Sequence, residues 1–186
     1  DLEALAKNSD VCEVVALCDA DLGAPQTQAA LKRYPSLPKY RDFRRMFDMM
    51  SDRIDAVLVG TPDHSHFCAA MHAMRLGKHV YVEKPLAASY PDCQRVNRIS
   101  QQTGVPCFVA YYRRYLPYFQ KVKSLVEGGA VGKVINVQVR FAVPPRDLDY
   151  NRDNLPWRVQ RDIAGGGYFY DLAPHQIDLL QERSEE

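Results

Sequence analysis

One short motif places charged side chains at the end of a predicted buried strand. In "HVYVEKPLA", residues 79–87, the apolar and β-branched half is followed directly by Glu83, Lys84 and Pro85. A lysine at a strand end, beside a carboxylate and facing a cleft, can polarise a substrate oxygen or take part in proton transfer. The alternative is an ordinary surface ion pair between Glu83 and Lys84. The ring of Pro85 fixes the turn, and a cis bond before it is conceivable.

A second motif, "GGGYFYDLAPHQIDLL", carries an acid–imidazole pattern. Asp171, His175 and Asp178 recur at i, i+4 and i+7, so on one helix they would share a face. A carboxylate beside an imidazole fixes its tautomer, and histidine titrates near neutral pH, which suits a general base. Because Pro174 is comfortable only in a first turn, we expect this helix to begin close to Asp171. His175 would then lie near the positive helix end, which would lower its pKa.

The elements that position these motifs follow an α/β pattern. Over the first ~110 residues apolar runs alternate with amphipathic ones, which is typical of a parallel sheet with crossover helices. We predict strands in 12–19, 54–60, 79–83 and 106–112, and helices in 25–34, 40–50, 67–77 and 89–104. Residues 1–110 are therefore expected to form a doubly wound, Rossmann-like dinucleotide-binding domain that is incomplete at its N-terminal side and lacks its first strand in the sequence given.

The composition changes after Tyr111, which indicates a second domain over residues 111–186. A helix is predicted in 115–129, and "KVINVQVRFAV", residues 133–143, alternates like a half-buried antiparallel strand. A long irregular stretch, residues 144–167, holds the only tryptophan. One strand cannot form a stable sheet alone, so we expect this mainly antiparallel α/β domain to be incomplete in the sequence given.

In open parallel sheets ligands bind beyond the carboxyl ends of the strands. That rule brings together the loops at Asp19–Asp21, Thr61–His66 and Glu83–Pro85. An acid such as Asp19 can bind the ribose hydroxyls of NAD and repel the 2′-phosphate of NADP, although a turn or cap aspartate is the alternative. Pro62 offers a flat apolar face to a base.

His64 and His66 could cap, pack or contact a cofactor. Neither has a third ligand or a cysteine partner nearby in sequence, so no metal site is predicted. The glycine motif G-x-G-x-x-G, which brings a pyrophosphate to a helix N-terminus, does not occur in the sequence. The first residue is not Met, and we expect the chain to be part of a longer protein.

The net charge limits the classes of binding partner, and the cysteine pattern indicates the cellular compartment. The formal net charge is +1, which gives no electrostatic case for nucleic acid or an acidic membrane surface. Five cysteines form no C-x-x-C pair, so a reducing cytoplasm is the expected location. An export signal upstream of the given residues stays open.

Four stretches occur in an order that resembles the Gfo/Idh/MocA family of NAD(P)-dependent oxidoreductases: "GTPDHSH", "GKHVYVEKPLA", "YYRRYLPYF" and "GGGYFYDLAPHQIDLL". The resemblance spans nearly the whole chain. It implies a Rossmann domain followed by a C-terminal α/β domain whose open sheet covers the active site. It also implies that Lys84, Asp171 and His175 are catalytic.

The resemblance further implies hydride transfer between a sugar- or polyol-like alcohol and NAD, with NADP less favoured. Expected cofactor contacts are Asp19, Thr61, Pro62, His66, Glu83 and Lys84, and expected substrate contacts are Arg114, Trp157, Arg158 and Tyr168. Trp157 could instead be a core anchor. A homo-oligomer through the C-terminal sheet is expected for the complete protein. Rival hypotheses are an NAD-dependent glycoside hydrolase of the same fold, and a non-catalytic cofactor-sensing regulator or inactive fragment.

Overall fold

The computed structural model describes residues 2–181 of the chain. It begins with α1 (Leu2–Lys7), β1 (Leu17–Cys18), α2 (Pro25–Arg33), β2 (Lys39–Tyr40) and α3 (Phe43–Met50). Strands β1 and β2 pair in parallel as a small sheet, with Leu17 opposite Lys39. The backbone N–H of Asp19 extends this contact by donating to the Tyr40 carbonyl at 3.0 Å.

A second sheet, of three parallel strands, positions the loops that carry Thr61 and Lys84. It contains β3 (Ala56–Val59), β4 (His79–Val82) and β5 (Cys107–Val109) in that spatial order. The crossovers are α4 (Asp63–Arg75) and α5 (Tyr90–Thr103). Val59 pairs with Val82, and Val82 pairs with Val109, so all three strands end at one edge.

Local sequence signals account for the helix ends in this part. The Ser89 side chain accepts a hydrogen bond from the Asp92 N–H at the start of α5, which satisfies one free donor of the first turn. Gly104 ends α5 in the left-handed conformation, with φ +70°, which costs glycine little. Pro25 opens α2, where its missing N–H is not needed.

The hydrophobic core lies between the three-stranded sheet and helices α3, α4 and α5. Its fully buried side chains include Met74, Val80, Val82 and Val96. Removing such a side chain from water stabilises the fold by about 1.5–3 kcal/mol each. Parallel strands joined by packed helices confirm the α/β class predicted for this part.

The chain after β5 is helical and irregular within the described residues. A 3-10 turn (Tyr112–Tyr115) precedes α6 (Pro117–Glu127), and two further 3-10 turns span Asp147–Tyr150 and Trp157–Val159. The last two helices are α7 (Arg161–Ala164) and α8 (Tyr168–Gln181). No helix within residues 2–181 is both long and apolar enough to cross a membrane.

The antiparallel strand predicted at residues 133–143 does not form a ladder with any described residue. Its apolar side chains are exposed, including Ile135 at 93% and Phe141 at 59%. A strand needs neighbours to satisfy its backbone groups, and alternation alone supplies none. The strand predicted at 12–19 is likewise shorter than expected, because only Leu17–Cys18 finds a partner.

Candidate active site

Lys84 reaches from the end of β4 to the first turn of α8. The Glu83 N–H donates to the Val59 carbonyl at 2.8 Å, which is the last sheet contact before the loop. The Lys84 ammonium, with its side chain 12% exposed, donates to the Asp171 carbonyl at 2.5 Å and also to the Asp171 carboxylate. The Lys84–Pro85 bond is cis. The two motifs, 87 residues apart in sequence, thus meet in space.

A glycine run leads into α8 from α7. Gly165 and Gly167 have φ of +57° and +59°, a region that other residues rarely adopt. A Cβ on Gly166 would lie 2.1 Å from Cδ1 of Tyr170. The run therefore lets the chain turn tightly against the helix that carries Asp171.

Helix α8 begins at Tyr168, earlier than expected, and Pro174 lies inside it. The prediction that the helix starts close to Asp171, with His175 near its positive end, is therefore wrong. Pro174 lacks the N–H that would bond back to the preceding turn, a loss that a helix interior tolerates at a cost. The low pKa of His175 needs a different cause.

That cause is burial together with neighbouring cations. His175 is 3% exposed, and burial, then the charges of Arg113 and Lys84, lowers its pKa to about 4. The rings of Tyr111 and Tyr112 meet the imidazole edge-on at 6.3 and 5.3 Å between centroids. The His175 Nδ1 has no hydrogen-bond partner among the described residues. His175 is neutral at pH 7 and can accept a proton.

Asp171 lies between two cations. Its carboxylate binds Lys84 on one side, and the Arg158 Nε lies 3.4 Å from its Oδ2 on the other. Burial acts to raise the pKa of Asp171, but the Lys84 hydrogen bond and the charges of Lys84 and Arg158 hold it below the usual value. Asp171 therefore stays ionised and fixes the position of the lysine.

Arg114 has a carboxylate partner within the protein. Its guanidinium binds Asp178 through two nitrogens, with Nε 3.1 Å from Oδ2. Asp178 is 8% exposed and lies on the α8 face predicted to carry Asp171 and His175. The geometry supports a role for Arg114 in holding α8 against the Tyr112–Tyr115 turn. The expected substrate contact stays a prediction.

The other expected substrate residues lie near the start of α8. The Arg158 guanidinium stacks over the Trp157 ring at 4.5 Å, and Trp157 is only half-buried, which does not fit a core anchor. The Tyr168 hydroxyl donates to Asp149 Oδ1 at 2.7 Å. Of the three, Arg158 contacts Asp171 directly.

The expected cofactor residues lie on the carboxyl edges of the two sheets. Asp19 accepts from the Asp21 N–H at 2.9 Å and from the Thr27 hydroxyl at 2.6 Å, which matches the turn role given as the alternative. Thr61 is exposed, and its hydroxyl oxygen accepts from Ser65 at 2.7 Å. Pro62 follows directly, ahead of α4.

Glu83 and His66 complete this edge. Glu83 is half-buried, and its Oε2 accepts from the Lys84 N–H at 3.2 Å. His66 is 1% exposed, with both ring nitrogens on protein carbonyls, so the structure favours a packing role over direct cofactor contact. Within residues 2–181 no group of three His, Cys, Asp or Glu side chains is arranged to hold a metal ion.

Sequence reasoning missed the residues around His175. Arg113, Tyr111 and Tyr112 surround the imidazole, whereas the sequence predicts a site role only for the neighbouring Arg114. A usable signal was present, because these residues follow β5 directly and so lie at the same carboxyl edge as Lys84.

Comparison with known proteins defines the class. Residues 1–111 match the family model described as "Oxidoreductase family, NAD-binding Rossmann fold". Residues 119–183 match that of the "GFO/IDH/MocA C-terminal domain". The chain belongs to the Gfo/Idh/MocA oxidoreductase family, as its motifs predicted.

Among its relatives are two curated dehydrogenases. Inositol 2-dehydrogenase of Salmonella typhimurium is 29% identical, with 96% of this chain and 49% of the relative covered. Levoglucosan dehydrogenase of Pseudarthrobacter phenanthrenivorans is 29% identical, with 92% and 42% covered. The chain thus spans about half the length of these relatives or less.

A solved structure shows the same fold. The WlbA dehydrogenase of Chromobacterium violaceum, in complex with NADH and UDP-GlcNAcA, superposes with a TM-score of 0.76. It is 26% identical, and the match covers 96% of this chain and 49% of that one. The Rossmann-like fold predicted for the first 110 residues is thereby confirmed.

Proposed function

We propose that the protein transfers a hydride between a sugar- or polyol-like alcohol and NAD. The observation that carries the proposal is the Lys84–Asp171 contact, with a neutral His175 one helical turn away. Membership of an NAD-binding oxidoreductase family supports it. Relatives named for inositol and levoglucosan support the substrate class.

His175, Lys84 and Asp171 each have a separate role at the substrate alcohol. His175, neutral at pH 7, accepts the hydroxyl proton. Lys84 stabilises the oxyanion that develops on the same oxygen. Asp171 stays ionised between Lys84 and Arg158 and holds the ammonium in place. When bound, the nicotinamide supplies the acceptor for the hydride.

The residues present fit the nicotinamide–ribose half of a dinucleotide. The paired ends of β3 and β4 bring Thr61 and Pro62 beside Glu83. There an exposed hydroxyl and a half-buried carboxylate can bind ribose hydroxyls, while the proline offers an apolar face. Asp19, at the end of β1, keeps its negative charge while it accepts from its own turn, and repulsion of a 2′-phosphate by that charge supports a preference for NAD over NADP.

The test is a panel of sugars and polyols assayed by NADH absorbance with the full-length protein. Lys84→Met should abolish turnover and leave NAD affinity within about tenfold, ~1.4 kcal/mol. Lys121→Met, which changes an exposed lysine on α6, is the matched control and should retain activity. Retained turnover in Lys84→Met would remove the lysine from the mechanism. Glycoside cleavage without net NADH release would instead identify a hydrolase.

We also propose a domain boundary near Ala110, where the last ladder of the sheet ends. The exposed apolar side chains of 133–143 support assembly of the complete protein through its C-terminal sheet. The five free cysteines support a reducing, cytoplasmic location. Light scattering on the full-length protein tests the assembly, and a monomer would contradict it.

A further inference from the structure

A single buried imidazole connects the two loops that leave β3 and β4. The first loop carries Thr61, and the second carries Lys84 and Pro85. His66, on the first turns of α4, lies between them and is 1% exposed. The side chain belongs to neither loop but contacts both.

Both ring nitrogens of His66 face carbonyl oxygens. Nδ1 lies 2.8 Å from the Pro85 oxygen, and Nε2 lies 2.7 Å from the Thr61 oxygen. A carbonyl oxygen can only accept, and a neutral imidazole has one N–H to donate. A neutral ring would leave two acceptors facing each other at hydrogen-bond distance in a buried place, which is costly. Only the imidazolium donates to both.

We propose that His66 is a positioning residue, held as an imidazolium, which joins the Thr61 and Pro85 carbonyls and so fixes the loop that presents Lys84. The positioning part rests on the proposed function of Lys84. The protonation part rests on geometry alone and can be measured without any assay of activity.

The charges around the ring act in both directions. Asp63, three residues earlier on α4, is a half-buried carboxylate that interacts with His66, Lys84 and Asp171. Asp63 and, from α8, Asp171 favour a cationic ring. Burial of the ring, Lys84 and the positive end of α4 oppose it. The two charge-assisted hydrogen bonds to carbonyls decide the balance, because such bonds are about twice as strong as neutral ones.

The protonation state is tested by NMR of ¹⁵N-histidine-labelled full-length protein at pH 7.5. We expect both ring nitrogens of His66 to carry protons, and the signals of the exposed His64 on the same helix serve as the reference. His66→Gln and His64→Gln assign the two signals. A neutral tautomer at His66 would overturn the proposal, and this wild-type measurement stands even if His66→Gln does not fold.

Positioning is tested through His175, whose pKa senses the charge of Lys84. If His66→Gln frees the loop and moves Lys84 away, the pKa of His175 rises above about 4. His64→Gln should leave it unchanged. In turnover assays, His66→Gln should lower kcat more than it raises KM for NAD. An unchanged His175 pKa in a folded His66→Gln protein would overturn the positioning role. If the wild-type protein shows no turnover, that result counts against the proposed function and not against the positioning of Lys84 by His66.

Discussion

The chain before Tyr111 and the chain after it contrast in how they are held together. Residues 2–110 form two parallel sheets around a core whose central side chains, such as Met74 and Val82, are fully buried. Residues 111–181 bury few apolar side chains and depend on polar contacts, chiefly Lys84–Asp171 and Arg114–Asp178. The first region is stabilised by packing. The position of α8, which carries the site, depends on ion pairs with residues outside that helix.

The largest expected effect on the free energy of unfolding comes from truncating a buried side chain of the first region, compared with an exposed one of the second. Met74→Ala, at a fully buried position, should lower the free energy of unfolding by about 2–5 kcal/mol. Val139→Ala, at a position 48% exposed, should change it by about 0.5 kcal/mol or less. Urea titration followed by circular dichroism measures both. Equal losses would contradict the contrast.

A smaller effect is expected where α8 is anchored. Arg114→Met leaves the buried Asp178 carboxylate without its main partner and should cost about 2–3 kcal/mol, below the usual value for a buried pair because the arginine is partly exposed. Arg114→Met combined with Asp178→Leu removes both charges and should cost less than Arg114→Met alone. If the double variant is the less stable of the two, the ion pair does not anchor the helix.

The last effect is the dependence of the free energy of unfolding on pH. The pKa of His175 falls from 6.5 to about 4 on folding, so the unfolded chain binds the extra proton between these values. The stabilisation is complete above pH 6.5 and is lost progressively as the pH falls towards 4. Denaturant titrations across this range measure it. His175→Gln should show a flatter dependence, and an equal slope in both proteins would assign the effect elsewhere.

The contrast also explains which features the sequence predicts. Apolar runs, Ser89 as a cap and Gly104 as a stop are local signals, and the structure places the corresponding strands and α5 where those signals indicate. The alternating segment 133–143 carries an equally clear local signal, but a strand forms only with a neighbour. Local periodicity therefore predicts β4 and fails for this segment.

The candidate site was predictable in its motifs and not in its contacts. Residue type and spacing mark Lys84, Asp171 and His175 as candidates, and the family resemblance implies their catalytic roles. The ion-pair partners of Arg114 and Arg158 could not be predicted from the sequence, because ion pairs between distant residues depend on how the helices pack. The predicted start of α8 was wrong because Pro174 was placed in the first turn of the helix. That preference of proline is statistical, and the glycine run before Tyr168 allows the helix to begin earlier.

The central claim is that Lys84 and His175 share one site, and the pKa of His175 tests it most directly. NMR titration of the imidazole in wild-type protein should give a value of about 4. In Lys84→Met the loss of a nearby positive charge, with Asp171 no longer paired to an ammonium and held by Arg158 alone, should raise that pKa. A His175 pKa that is the same in both proteins would mean that the ammonium and the imidazole do not meet, and would contradict the account.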